Sequence, residues 1–136
     1  MSIQHLAVGV DLVLVADVAR SVEQFGDRYL DRVYTPAERG DTADSPSGLA
    51  ARFAAKEAVF KAIGATDAAV AWSDIEIGRR PGGAPEVVLR AEARRLADEA
   101  GIGHWAVSMT HEGAMAAAVA VACKDARAGR PAEEER

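Results

Sequence analysis

Apolar and other positions alternate from Ile3 to Val15, the period of a β-strand. Leu6, Val8, Val10 and Leu12 share one face, and His5, Ala7, Gly9 and Asp11 share the other. Asp11 therefore stands opposite the main apolar row. The period then lengthens. Val18, Val22, Phe25, Tyr29, Leu30 and Val33 predict a helix over Asp17 to Tyr34, or two short ones broken near Gly26. Thr35-Pro36-Ala37-Glu38 is a helix start: Thr35 can cap, proline suits the first helical position, and Glu38 can complete a capping box. Gly40 to Gly48 is polar and reads as a mobile loop that could flap over a site.

Leu49 to Ile63 is the clearest helix. Phe53, Glu57, Phe60 and Gly64 follow its spacing, so Glu57 falls between two phenylalanines on the apolar arc. Val70 to Ile77 predicts a strand, Arg79 to Pro85 a turn, Glu86 to Leu89 a short strand, and Ala91 to Ala100 a helix stopped by Gly101. Residues 104 to 110 and 114 to 122 predict a β-hairpin turning at His111-Glu112-Gly113. From Lys124 to Arg136 the period is lost, and a disordered charged tail is expected. The expectation is one α+β domain over residues 1–123, an antiparallel sheet with a long helix laid against it, followed by the tail at 124–136.

Composition narrows the classes. The chain has 136 residues, 49% of them hydrophobic but only 5% aromatic, so its core rests on Val, Leu, Ile and much Ala. Small side chains bury little area each, and such a domain leans on a partner subunit. The net charge of -5 argues against general nucleic-acid binding. Cys123, the single cysteine, leaves no internal disulfide and no cysteine-based zinc site. The start shows no basic segment followed by a long apolar one, and the apolar run from Ala114 to Ala122 is too short for a spanning helix. A cytoplasmic protein without membrane partners is expected.

The candidate chemistry gathers on two carboxylates. Asp11 and Glu57, with Arg52, Lys56 and Lys61 nearby in sequence, suit a Mg²⁺ ion holding a phosphorylated substrate. Arginine grips phosphate with a fork, and lysine supplies a point charge. His111 could meet a phosphate or move a proton, and Ser108 and Thr110 could donate from their hydroxyls. Each has a plainer alternative: a helix N-cap or turn residue for Asp11, a surface pair with Lys61 for Glu57, a solvated face for the cations, an exposed turn histidine for His111, and ordinary strand filling for Ser108 and Thr110. No Ser-His-acid or Cys-His pattern, P-loop or dinucleotide fingerprint is present. Arg79, Arg80 and Gly82-Gly83 are too weak a signal to name a phosphate loop.

With these residues in view, the chain resembles the holo-[acyl-carrier-protein] synthases, small bacterial 4'-phosphopantetheinyl transferases. Three blocks carry the likeness: Gly9-Val10-Asp11-Leu12-Val13; Ala51-Arg52-Phe53-Ala54-Ala55-Lys56-Glu57-Ala58 with Lys61 and Gly64; and Val107-Ser108-Met109-Thr110-His111. Thr35-Pro36-Ala37-Glu38 and Asp74-Ile75-Glu76-Ile77 lie between them. The resemblance implies transfer of 4'-phosphopantetheine from coenzyme A to a serine of apo acyl carrier protein, in fatty-acid or polyketide synthesis. It implies Mg²⁺ on Asp11 and Glu57, and Lys61 neutralising or protonating the leaving phosphate. It places Arg52 and His111 at the 3'-phosphate end of coenzyme A, with Lys56, Ser108 and Thr110 as further ligands. The serine proton would pass through water toward a carboxylate, with Glu57 as acceptor. A homotrimer with sites at subunit boundaries is implied, and Arg20, Arg28 and Arg32 are the candidates for carrier docking. Asp17 stands where the family usually carries a basic residue, and Ala65-Thr66 where it often has Thr-Gly. The other reading is a catalytically silent protein that only binds carrier domains or assembles them.

Overall fold

The computed structural model describes residues 5–65 and 69–125. Strand β1 (His5–Leu14) runs straight into helix α1 (Val15–Phe25), and α2 (Asp27–Val33) and α3 (Pro36–Thr42) follow. The long helix α4 (Pro46–Ile63) leads to a 3-10 turn (Trp72–Asp74) and the hairpin β2 (Ile75–Arg79) and β3 (Pro85–Leu89). Helix α5 (Ala91–Glu99) precedes β4 (Ile102–Glu112) and β5 (Met115–Lys124). The main sheet is antiparallel in the order β1-β5-β4, and β2-β3 form a second, two-stranded sheet. The α+β expectation holds.

Local chemistry explains most boundaries. Gly26 separates α1 from α2 at φ 54°. Thr35 makes the full capping box with Glu38, its side chain accepting from the Glu38 N–H while the Glu38 carboxylate accepts from the Thr35 N–H. Gly64 closes α4 in the left-handed region at φ 77°. In the β4-β5 hairpin, Glu112 pairs with Met115 across Gly113-Ala114, and Gly113 has φ 55°.

Several expectations are corrected. Gly40 to Gly48 is no long mobile flap: α3 runs to Thr42 and α4 begins at Pro46, leaving a link of Ala43 to Ser45. Arg39 pins that link through two hydrogen bonds to Asp44, and also holds Asp27 and Asp31. The strand expected from Val70 starts only at Ile75. His111 lies within β4 rather than in the turn. Lys124, assigned to the tail, still pairs with His5 and Ile102. Residues 126–136 of the expected tail, and Thr66, lie outside the described residues.

Alternation left open which face of β1 is covered, and the structure decides it. The row Leu6, Val8, Val10 and Leu12 is about 60% exposed in the protomer. The opposite face, with Ala7, Gly9 and Val13, packs beneath α4. Small residues face one another there: Ala51, Ala54, Ala55, Ala58 and Ala62 from the helix, and Ala116, Ala118, Ala120 and Ala122 from β5. Their size lets the helix backbone approach the sheet closely. A Cβ built on Gly9 would lie 1.8 Å from the Ala58 carbonyl oxygen, so only glycine fits there.

Candidate active site

The close approach at Gly9 brings Asp11, two residues along β1, against α4. Lys61 Nζ lies 2.9 Å from Asp11 Oδ1 and donates to the Val10 carbonyl at 3.1 Å. Glu57, one helical turn before Lys61, comes within hydrogen-bond reach of Asp11. Glu57 sits beside an aromatic wall: Trp72 meets Phe53 edge-on at 5.3 Å and Phe60 at 6.0 Å.

The two carboxyls differ in their ionisation. Burial, then the hydrogen bond and charge of Asp11, push the Glu57 carboxyl up to about 7. Burial also pushes Asp11 upward, but its hydrogen bonds to Glu57 and Lys61 and the Lys61 charge hold it below the ordinary value. The partnership with Asp11 raises Lys61, which stays cationic near neutrality. Asp11 Oδ2 is buried and accepts no hydrogen bond. A buried, unpartnered carboxylate oxygen beside a second carboxyl suits either a shared proton or a divalent cation. Among the described residues no group of three or more His, Cys, Asp or Glu side chains could enclose a metal. Two carboxylates fit Mg²⁺, which keeps much of its shell as water and substrate phosphate.

A second cluster surrounds Arg52. Its side chain is 3% exposed, yet Nε and Nη2 have no hydrogen-bond partner. It lines a cavity of about 350 Å³ with Arg79, Ser108, Thr110 and His111. Strand alternation puts Ser108 and Thr110 on the sheet face that bears Val10 and Leu12, and Met109 and His111 on the face toward α4. An unpaired buried guanidinium is a ready anion site.

Lys56 belongs to neither cluster, which corrects its assignment as a coenzyme ligand. It is fully buried, 2.7 Å from Glu38 Oε1, and it donates to the carbonyls of Trp72 at 3.0 Å and Ile75 at 2.6 Å. All three ammonium hydrogens are thereby used. Glu38 also accepts from the Ile77 N–H at 3.0 Å. The pair joins α3, α4 and β2, and it fixes the backbone carrying Trp72. Lysine spacing alone does not separate Lys56 from Lys61. Trp72 falls within the segment whose pattern predicts a strand and gains its role only in the fold; the spacing of Phe53 and Phe60 is the sequence signal for an aromatic partner.

The docking candidates are exposed on α1 and α2. Arg20 contacts Asp17 at 3.5 Å. Arg32 and Asp17 line a cavity of about 820 Å³ whose walls include Leu12, Val18, Phe53 and Trp72.

Comparison with known proteins decides the family. The model of the 4'-phosphopantetheinyl transferase superfamily matches residues 7–122. The Holo-[acyl-carrier-protein] synthase of Koribacter versatilis is 43% identical over 122 residues, spanning 84% of this chain and 96% of its own. The chain belongs to the holo-[acyl-carrier-protein] synthase family. The synthase of Moorella thermoacetica is 46% identical over 119 residues, spanning 85% of this chain and 92% of its own. The crystal structure of Helicobacter pylori holo-[acyl-carrier-protein] synthase in complex with coenzyme A has a TM-score of 0.76 at 30% identity, covering 85% of this chain and 98% of that one.

Proposed function

We propose that this chain transfers the 4'-phosphopantetheine group of coenzyme A to a serine of apo acyl carrier protein. Membership of the family supports the reaction. The observation that carries the site assignment is the buried, unpartnered Oδ2 of Asp11 beside Glu57. Asp11 and Glu57 would hold Mg²⁺, which when bound supplies charge neutralisation at the pyrophosphate.

The serine Oγ attacks the β-phosphorus of coenzyme A. A P–O bond forms to serine, and the P–O bond to the bridging oxygen breaks. Adenosine 3',5'-bisphosphate leaves. Lys61, exposed and cationic, is placed to neutralise or protonate the leaving phosphate. The serine proton would pass through water toward the Glu57 carboxylate. Arg52 and His111 would hold the 3'-phosphate; Ser108 and Thr110 flank His111 on β4 but turn their side chains to the other sheet face, which leaves them out of that grip.

Within one protomer the two clusters sit toward opposite edges of the main sheet, because β1 and β4 are its outer strands. A coenzyme gripped by both suits a site shared by two subunits. The exposed row Leu6, Val8, Val10, Leu12 and Leu14, with Val119, is the apolar face such an assembly would cover. A homotrimer with boundary sites accounts for both features. Arg20, Arg28 and Arg32 on α1 and α2 would meet an acidic carrier. Among the described residues no helix is long and apolar enough to cross a membrane. Supply of carrier protein to fatty-acid synthesis in the cytoplasm is the role this reading assigns.

Mass spectrometry of an apo acyl carrier protein incubated with the protein, coenzyme A and Mg²⁺ tests the reading. The expected result is a gain of one phosphopantetheine, lost on chelation and absent with Asp11→Ala. A folded protein that modifies none of several apo carriers would refute it.

A further inference from the structure

Arg79 enters none of the steps above, and its pairing with Arg80 is weak as a sequence signal. The fold changes its standing. Ile75, Ile77 and Arg79 share one face of β2. Ile75 and Ile77 are fully buried in the core beneath that face. Arg79 is the next residue on it, at the edge of the core, where it lines the same 350 Å³ cavity as the N-terminal half of α4. The hairpin steadies it. Its Nη1 donates to the Gly83 carbonyl at 3.1 Å, and that turn closes through Arg80 N–H to Ala84 O at 2.8 Å and Gly83 N–H to Arg80 O at 2.9 Å.

Two guanidinium groups thus face one small cavity, and the buried one has two unpartnered nitrogens. The repulsion is felt: after burial, the Arg79 charge is the next influence lowering the Arg52 pKa. The attractions of Asp41 and Glu38 rank below it. Like charges held together around unused donors point to an anion of more than one charge.

We propose that Arg79 is a binding residue for the terminal phosphate monoester of the coenzyme, forming with Arg52 a two-arginine clamp on that dianion. This rests on the coenzyme reading above and adds a residue from a different element, the β2-β3 hairpin. Arg52 supplies a buried charge from the helix. Arg79 supplies an exposed one that closes over the phosphate from the sheet side.

The test compares Arg79→Ala with the unaltered protein on coenzyme A and on 3'-dephospho-coenzyme A. The clamp predicts a KM for coenzyme A raised roughly tenfold, the scale of one charge-assisted hydrogen bond, with kcat held. The KM for the dephospho compound should stay within about twofold, because the group the arginine contacts is missing. Arg79→Lys should recover part of the loss, since a point charge replaces the fork. Calorimetry with adenosine 3',5'-bisphosphate and adenosine 5'-monophosphate reads the same difference without turnover. An unchanged KM for coenzyme A, or an equal rise for both compounds, would overturn the clamp. Absence of transfer and of coenzyme binding in the unaltered protein would instead refute the coenzyme reading itself.

Discussion

Gly9 on β1 lies directly against the backbone of Ala58 on α4, with room for a hydrogen and nothing larger: a Cβ would meet the Ala58 oxygen at 1.8 Å and its carbonyl carbon at 2.7 Å. This contact sets the distance between the strand that carries Asp11 and the helix that carries Glu57 and Lys61. Gly9→Ala must push the two apart. We expect a stability loss of about 1–3 kcal/mol, typical of overpacking, together with reduced transfer. Urea unfolding and turnover should fall together, and full activity in Gly9→Ala would contradict the account.

Glu57 makes the metal-free protein sensitive to pH. Its carboxyl is raised from 4.5 to about 7, so the folded chain binds that proton more tightly than the unfolded one. Stability contributed by the proton is present below the lower value and is lost as pH rises toward about 7. Mg²⁺ competes with the same proton, so its affinity should rise over that window. Melting curves in chelator between about pH 5 and pH 8 should slope downward for the unaltered protein and less so for Glu57→Gln. Parallel slopes would remove Glu57 as the titrating group.

Lys56 is a test of structure rather than of ligand binding. Lys56→Met leaves Glu38 buried without its countercharge, a loss of about 3–5 kcal/mol for such a pair. The double change Glu38→Gln with Lys56→Met should recover part of that loss. Denaturant midpoints give the comparison. A folded Lys56→Met protein whose only defect is weaker coenzyme binding would reinstate Lys56 as a ligand.

Asp17 holds Arg20 at 3.5 Å on the exposed side of α1. Replacing it with asparagine frees the arginine and removes a like charge from the path of an acidic carrier. We expect kcat/KM for such a carrier to rise about two- to fivefold at low salt and the gain to shrink at high salt. Kinetics at two ionic strengths decide it; a gain independent of salt would point to another cause.

The boundary site predicts complementation between inactive proteins. Asp11→Ala and Arg52→Ala damage the clusters toward opposite edges of the sheet, so a mixed assembly with boundary sites would rebuild some boundaries from two intact halves. Refolding the two together in equal amounts should return roughly a quarter of full activity, since a boundary needs the intact half from each neighbour. No recovery from a mixed oligomer would place both halves in the same protomer.

By itself the sequence determined the alternation of β1, the break at Gly26, the capping box at Thr35, the long helix and the final hairpin. These follow from local spacing and backbone preference, which act over a few residues. The motif blocks around Asp11, Glu57 and His111 also determined the family. Only the tertiary structure decided which side of β1 is covered. Leu6, Val8, Val10 and Leu12 carry the larger apolar surface, yet the helix lies on the Ala7 and Gly9 side because small residues let its backbone come close. Alternation assigns residues to faces but says nothing of what packs on them. Three cations on α4 show the same limit: Lys56 is locked in a buried pair, Arg52 is buried with Nε and Nη2 unpartnered, and Lys61 reaches Asp11. Their chemistry is nearly alike in sequence. What separates them is the direction each leaves the helix, and what the rest of the chain places there.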